Sequence, residues 1–378
     1  MVGLKAGQHG QIDDREDEGH ARYARDPPGH ARRDGVRVAI MTGPRRPLIL
    51  VVSCGGTISS VRPTGRAGGA APRLSAADLV ADVPELAAIA DIEALTYAVV
   101  PSSDLTLDDV LAVCRLIGDR ARRPPEPDGV VITQGTDTLE ETAFALDLLW
   151  DDQRPIVVTG AMRNASQPGP DGPANLLAAT ATAACPAARD AGVLVVANDE
   201  IHAAALVRKT HTTSTATFRS HALGPVGHVV ENTARLPLRP RRSPRLPAIP
   251  QSVGPLPTAL ITFGLGDDAR LLAAIADAGY RGAVIEAMGG GHLPSRVAGS
   301  AELMALVEAM PVVLSSRTGA GHLLRSTYSF AGSESDLLSR GLISAGSLDG
   351  PKARILLSLL LAGAAERGEV EQAFAFFS

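Results

Sequence analysis

Lysine is scarce in this chain: Lys5, Lys209 and Lys352 stand against a combined lysine and arginine count of 36. A guanidinium stays charged at any pH a protein meets, so base chemistry at a cationic side chain is confined to those positions. Positive charge is not in excess either, since the formal net charge is -5. Without a broad basic field to attract a phosphate backbone, no nucleic-acid partner is expected. The arginines at Arg239, Arg241, Arg242 and Arg245 are a local exception, interrupted by prolines, and read as a solvated linker. Aromatic residues make up only 3%, so the core must be aliphatic. Cysteine is nearly absent: Cys54, Cys114 and Cys185 are odd in number and far apart, against a disulfide framework or a zinc site. A reducing, cytoplasmic setting is the simpler reading.

Long apolar runs are missing too. The stretch before Pro47 has no hydrophobic signal-peptide region and no periodic apolar face. Residues 1 to about 45 are expected to be a disordered extension, with Met41 as an alternative start. The run ILLSLLLAGAA, Ile355 to Ala365, has about half the roughly 20 residues that a bilayer span requires. It predicts a buried helix, and no membrane partner. The glycines of MGGGHLPSR do not spell a dinucleotide fingerprint and read as a tight turn.

What is present is an alternation. LILVV, GVVIT, PIVVT and GVLVVAN are continuous aliphatic runs separated by stretches at helical spacing. Runs without in-out alternation predict strands buried on both faces, hence parallel sheets covered by helices. In the helix after GVVIT, Leu139, Ala143, Leu146 and Trp150 share one face, and Glu140, Glu141 and Asp147 fall on the other. Prolines between Leu236 and about Pro257 deny helix and central strand. The chain therefore reads as a larger α/β domain over residues 46–235, a linker over 236–257 and a smaller α/β domain over 258–378. TALITF, GAVIEA and VVLSS supply strands of the smaller domain, and Ala269–Ala278 and Ala301–Ala309 its helices.

In parallel sheets ligands bind at the carboxyl ends of strands. LILVV ends in SCGGTIS, with Thr57 behind Gly55 and Gly56; GVVIT ends in QGTDT, with Thr136 and Asp137 behind Gly135. Thr138 and Glu141 have capping-box spacing, so the helix is expected to begin after Thr138. One such turn alone reads as ordinary capping; two glycine-threonine turns read as a site. A threonine hydroxyl needs an activating partner, and Lys209, in VRKTHTTSTATFRS, is the candidate. Cys54 reads as a small core residue. His202 and His211 lack metal-ligand spacing and are expected in hydrogen-bonding or surface roles, and no metal site is expected.

These segments, CGGTIS, TQGTDTLEETAFALDLL, PIVVTGAMRNASQPGPDGPANL and GVLVVANDEIHAAALVRKTHTTSTATFRS, in this order from about Pro47 onward, resemble the bacterial-type L-asparaginases and glutaminase-asparaginases. The resemblance implies two α/β domains, a homodimer or homotetramer, no cofactor, and hydrolysis of asparagine or glutamine through an acyl-enzyme. Carried over by position, Thr57 is the nucleophile; Thr136, Asp137 and Lys209 form the second catalytic group. Asp137 also grips the substrate amino group, and Ser102, with Ser103 beside it, holds the carboxylate. Backbone at Gly56 and Gly135 supplies the oxyanion hole, and Ala161 lines the site. The sequence departs from the family in three places. VRPTGRAGGAAPRLSAADL lacks the family's loop tyrosine, with Gly69 near its place. Ser103 and Gln134 replace a common glutamine and histidine. No carboxylate clearly matches the one donated by a neighbouring subunit, for which Glu334 is the candidate. Two alternatives share the pattern: an amidase subunit releasing ammonia for a tRNA amidotransferase, and an asparagine-binding sensor with weak turnover.

Overall fold

Valine, isoleucine and leucine runs form strands here because both sheet faces are covered. In the computed structural model, which describes residues 45–62, 69–247 and 254–378, the larger sheet has eight strands. They are β1 (Leu48–Gly55), β2 (Asp91–Val100), β3 (Gly129–Thr133), β4 (Ile156–Thr159), β5 (Val193–Ala197), β6 (Glu200–Ala203), β7 (Gly227–Val230) and β8 (Thr233–Arg235). Their spatial order is β8-β7-β6-β5-β4-β3-β1-β2. The five from β2 to β5 run parallel, and the other three join antiparallel. All four expected aliphatic runs are strands of this parallel part, and every residue of β3, β4 and β5 is buried. Strand β2 escapes the aliphatic pattern: it lies at the sheet edge, partly exposed along its length. Its polar positions reflect an uncovered flank. The disorder expected for residues 1 to about 45 concerns a stretch of which residues 1–44 fall outside the described residues, as does most of the glycine-rich segment Thr64–Pro72; Ala71–Pro72 pairs antiparallel with Ser60–Val61.

The smaller sheet is fully parallel: β9 (Thr258–Thr262), β10 (Gly282–Ala287), β11 (Val312–Ser316) and β12 (Ile343–Ser344). This mixed α/β plan, a large N-terminal sheet and a separate smaller C-terminal one, matches the reading from sequence. Residues 46–378 pack as one unit. The helices α1 (Leu107–Ala121), α2 (Leu139–Leu149), α3 (Gly172–Ala183) and α4 (Gly350–Ala362) cover the sheets. Helix α4 is the apolar run that is too short to span a bilayer. Its Leu356, Leu357 and Leu359 join the same core as Leu50, Ile132 and Leu146 of the larger sheet's layer, so this helix joins the two lobes. Among the described residues, no helix is long and apolar enough to cross a membrane.

The proline-rich connection is irregular over its described residues but is tied down. Arg242 donates to Asp190 at 2.6 Å and to the Trp150 carbonyl at 2.9 Å, and Arg245 pairs with Asp151. These arginines fasten the connection to the larger lobe, where the sequence suggested only solvation.

Register places the site. Ser53 of β1 pairs with Thr133 of β3, and Thr133 with Thr159 of β4. Three neighbouring strands thus end on one rung, and their following turns emerge side by side. The chain leaves β1 to one side for β2 and returns on the other for β3, which opens a crevice at this switch point.

Candidate active site

The turn after β1 carries Gly55 and Gly56 at φ +91° and +87°. A side chain cannot replace Gly56: its Cβ would lie 2.0 Å from the Gly135 backbone nitrogen. The backbones of the two glycine-threonine turns therefore touch; Thr57 follows one contact glycine and is partly exposed, and Thr136 follows the other and is buried. The Gly56 carbonyl accepts from the Ser59 and Ser60 hydroxyls at 2.9 and 2.8 Å, holding the turn from below. Gly160, just before buried Ala161, packs against the third side; its Cβ would meet the Gln134 carbonyl at 2.5 Å and Thr136 Cγ2 at 3.2 Å.

Lys209 reaches this cluster from the short hairpin Arg208–Lys209/Phe218–Arg219. Its Nζ donates to Thr136 Oγ1 at 2.9 Å and to Asp137 Oδ1 at 2.6 Å. Asp137 remains 70% exposed, so its carboxylate holds the lysine and stays open to solvent. Buried Ser102 completes the floor: its Oγ accepts from the Asp137 N–H at 3.2 Å. Ser103 beside it is exposed and lines a cleft of about 570 Å³ with Thr138, Glu141 and Arg354.

The start of α2 corrects the sequence reading. Thr138 precedes the helix but makes no capping box. Its hydroxyl instead donates to the Ser102 carbonyl at 3.0 Å and accepts from Gln134 Nε2 at 3.1 Å. Glu141 turns away to Arg354 of α4, 3.6 Å distant. Thr138 thus ties the Gly135–Asp137 turn to Ser102, a tertiary contact that outcompetes the local cap. The polar face of α2 is buried at two of its three acidic positions. Asp147 is buried and accepts from the Val193 N–H at 2.7 Å. Glu140 is buried and accepts from the Lys209 backbone N–H.

Glu140 is the residue sequence reasoning missed. Burial pushes its carboxyl up to about 7, opposed by the positive charge of Lys352 and the bond from Lys209. A raised carboxyl favours the folded state when protonated, so its contribution is present below the ordinary value near 4.5 and is lost as pH rises through 7. Relative to wild type, Glu140→Gln is therefore expected to gain about 3 kcal/mol of unfolding free energy between pH 4 and pH 8. Urea titrations of both proteins at the two pH values measure that difference; a gap that stays constant contradicts the assignment.

Other expected residues resolve simply. Cys54 is buried in the core, and burial pushes its thiol up to about 12, far from a nucleophile's range. His202 is buried against Ser220 Oγ at 3.0 Å, while exposed His211 organises its own loop by accepting from the Thr213 and Ser214 N–H groups. Glu334 is wholly buried within its own lobe. Its carboxylate accepts from the Thr327 and Tyr328 N–H groups and lies 3.2 Å from His292 Nε2. It cannot be offered to a neighbouring subunit from this position.

The family profile described as Asparaginase, N-terminal matches residues 48–242, and that of the Glutaminase/Asparaginase C-terminal domain matches residues 259–374. The chain belongs to the asparaginase family. Similar members include L-asparaginase 2 of Escherichia coli, 33% identical over 87% of this chain and 92% of that protein. The probable periplasmic L-asparaginase of Haemophilus influenzae is 32% identical, over 91% of this chain and 97% of that protein. The crystal structure of a probable cytoplasmic L-asparaginase from Campylobacter jejuni superposes with a TM-score of 0.78 at 29% identity, over 88% of this chain and 99% of that one. In this asparaginase-family chain, the contacts between the threonine-bearing turns lie wholly within the segment that matches the N-terminal profile.

Proposed function

We propose that this chain is an L-asparaginase that hydrolyses asparagine to aspartate and ammonia through an acyl-enzyme on Thr57. The observation that carries the reading is the chain of contacts Lys209–Thr136 and Lys209–Asp137, at 2.9 and 2.6 Å, seated against the Gly56–Thr57 turn. In the first step Thr57 Oγ bonds to the amide carbon and the C–N bond breaks; the hydroxyl proton leaves with the ammonia. Water then adds to the ester, releases aspartate and returns a proton to Thr57. Thr136 lies where it can relay that proton and orient the water. An ammonium donating to Thr136 Oγ1 stabilises negative charge on that oxygen. Backbone at the Gly56 and Gly135 turns, with Ala161 alongside, forms the wall that receives the oxyanion. Asp137 meets the substrate amino group, and Ser102 and Ser103 its carboxylate.

Glutamine is the second candidate substrate, one methylene longer, and a relative named glutaminase-asparaginase from Acinetobacter glutaminasificans is 31% identical. A cytoplasmic setting is part of this reading, supported by the three free cysteines and by the name of the Campylobacter jejuni neighbour. Association as a homodimer or homotetramer is supported by the exposed Tyr328 and Phe330, which stack around His292 on the surface of the smaller lobe. The test is release of ammonia and aspartate in equal amounts from asparagine, with glutamine assayed in parallel. A purified protein that binds asparagine without releasing ammonia overturns the reading.

Lys209→Arg gives a finer check. It keeps the charge but replaces a compact ammonium with a planar fork that cannot meet Thr136 Oγ1 and Asp137 Oδ1 in the same way. The turnover number is expected to fall roughly a hundredfold, with a smaller change in KM. Steady-state ammonia release decides it; turnover within twofold of wild type contradicts a role for Lys209 at Thr136.

A further inference from the structure

Lys209 carries the charge at Thr136, yet its own short strand is only two residues long and pairs with an equally short partner. Something else must fix it. Two buried ionic side chains grip the backbone of the 207–209 segment from opposite lobes. Glu140, three residues beyond Asp137 on α2, accepts the Lys209 N–H. Lys352, 2% exposed on α4, donates to the Val207 carbonyl at 2.6 Å and to Asp349 at 3.1 Å. Burying charges of this kind is costly unless each finds a partner, and here each partner is a backbone atom of residues 207–209 or the opposite charge.

We infer that Glu140 and Lys352 are positioning residues that hold the 207–209 segment so that Lys209 Nζ meets Thr136, with Glu140 competent only as the carboxylate. The inference rests on the asparaginase reading given above. Protonation turns one Glu140 oxygen from acceptor to donor and removes the negative charge that faces Lys352. The Lys209 N–H then loses its charge-assisted acceptor, and a shift of the segment by about 1 Å is enough to cost up to roughly a hundredfold in rate. The groups that face Glu140 are Lys352 and Asp349 from α4, Arg208 on the hairpin and the Lys209 N–H itself. Its raised range, near 7, puts this transition within an ordinary assay window.

The experiment is the pH profile of asparagine hydrolysis, from pH 5 to 9, for wild type, Glu140→Gln and Lys352→Met. Wild type is expected to lose kcat below about pH 7. Glu140→Gln, permanently in the neutral form, is expected to run at the wild type's low-pH rate throughout, with that limb gone and KM within about threefold. Lys352→Met, which removes the opposing positive charge, is expected to move the limb to higher pH. A wild-type profile flat through pH 7, or a Glu140→Gln profile that keeps the wild-type limb at wild-type rate, overturns the inference. If Glu140→Gln does not fold by circular dichroism, Lys352→Met decides, and a limb that stays or moves to lower pH overturns it. A wild type with no ammonia release overturns the asparaginase reading itself; an active wild type with an unmoved limb overturns only the positioning role.

Discussion

Replacing Thr57 by alanine is expected to lower ammonia release from asparagine by at least about 10⁴-fold, because the proposed reaction loses the atom that would form the ester. Thr136→Ala is expected to cost roughly 10²- to 10⁴-fold, the range for losing a group that handles protons. Neither change should unfold the protein. Thr57 is partly exposed, and Thr136, although buried, gives up one side-chain bond, to Lys209 Nζ. Substrate binding by calorimetry should survive in both variants, since in the proposed binding mode the amino and carboxylate groups meet Asp137 and Ser102. The measurement is single-turnover ammonia release at saturating asparagine. Wild-type turnover in Thr57→Ala, or full activity in Thr136→Ala, contradicts the division of labour between the two turns.

The second large effect concerns a glycine. Gly56→Ala places a Cβ 2.0 Å from the Gly135 nitrogen and 2.1 Å from its Cα, at a residue with φ +87°. The contact is backbone on backbone, so no side chain can swing aside, and a backbone at φ 87° and ψ -167°, which essentially only glycine adopts, adds its own cost of roughly 1–3 kcal/mol. A further 1–3 kcal/mol or so for overpacking is the usual range. The expected result is a loss of about 3 kcal/mol in unfolding free energy, together with near-complete loss of activity as the two turns are pushed apart. Gly69→Ala is the control: no atom lies within 4 Å of its Cβ and its φ is ordinary, so stability should change by less than about 0.5 kcal/mol. Denaturant titration and ammonia assays on both variants measure the contrast. Equal behaviour of the two contradicts the turn-on-turn packing described here.

The sheet architecture was legible because burial on both faces leaves a plain signature, as in GVVIT and GAVIEA, whose strands have the predicted bounds. The edge strand Asp91–Val100 left no such signature: with one flank open it tolerates Asp91, Glu93 and Thr96. The glycine-threonine turns were legible from their place after strands, and Lys209 from the rarity of lysine. The contacts among them required the register of β1, β3 and β4. Glu140 and Asp147 do lie on a face of the helix apart from Leu139 and Leu146, but helical periodicity cannot reveal that a second lobe and a loop bury them there. Lys352 offered one signal: in a chain so poor in lysine, its position in a buried helix could have marked it as held by charge. The capping box failed for a related reason. Thr138 has the right spacing, but Ser102 and Gln134, distant or pre-helical in sequence, claim its hydroxyl.

The most direct test of the central claim is to quench the enzyme in acid during turnover of saturating asparagine and map the acyl group by peptide mass spectrometry. An acyl-enzyme on Thr57 predicts an aspartyl ester on the peptide that carries Thr57, absent from Thr57→Ala. An ester on the peptide that carries Thr136, or an enzyme free of ester when quenched in mid-turnover, would contradict it.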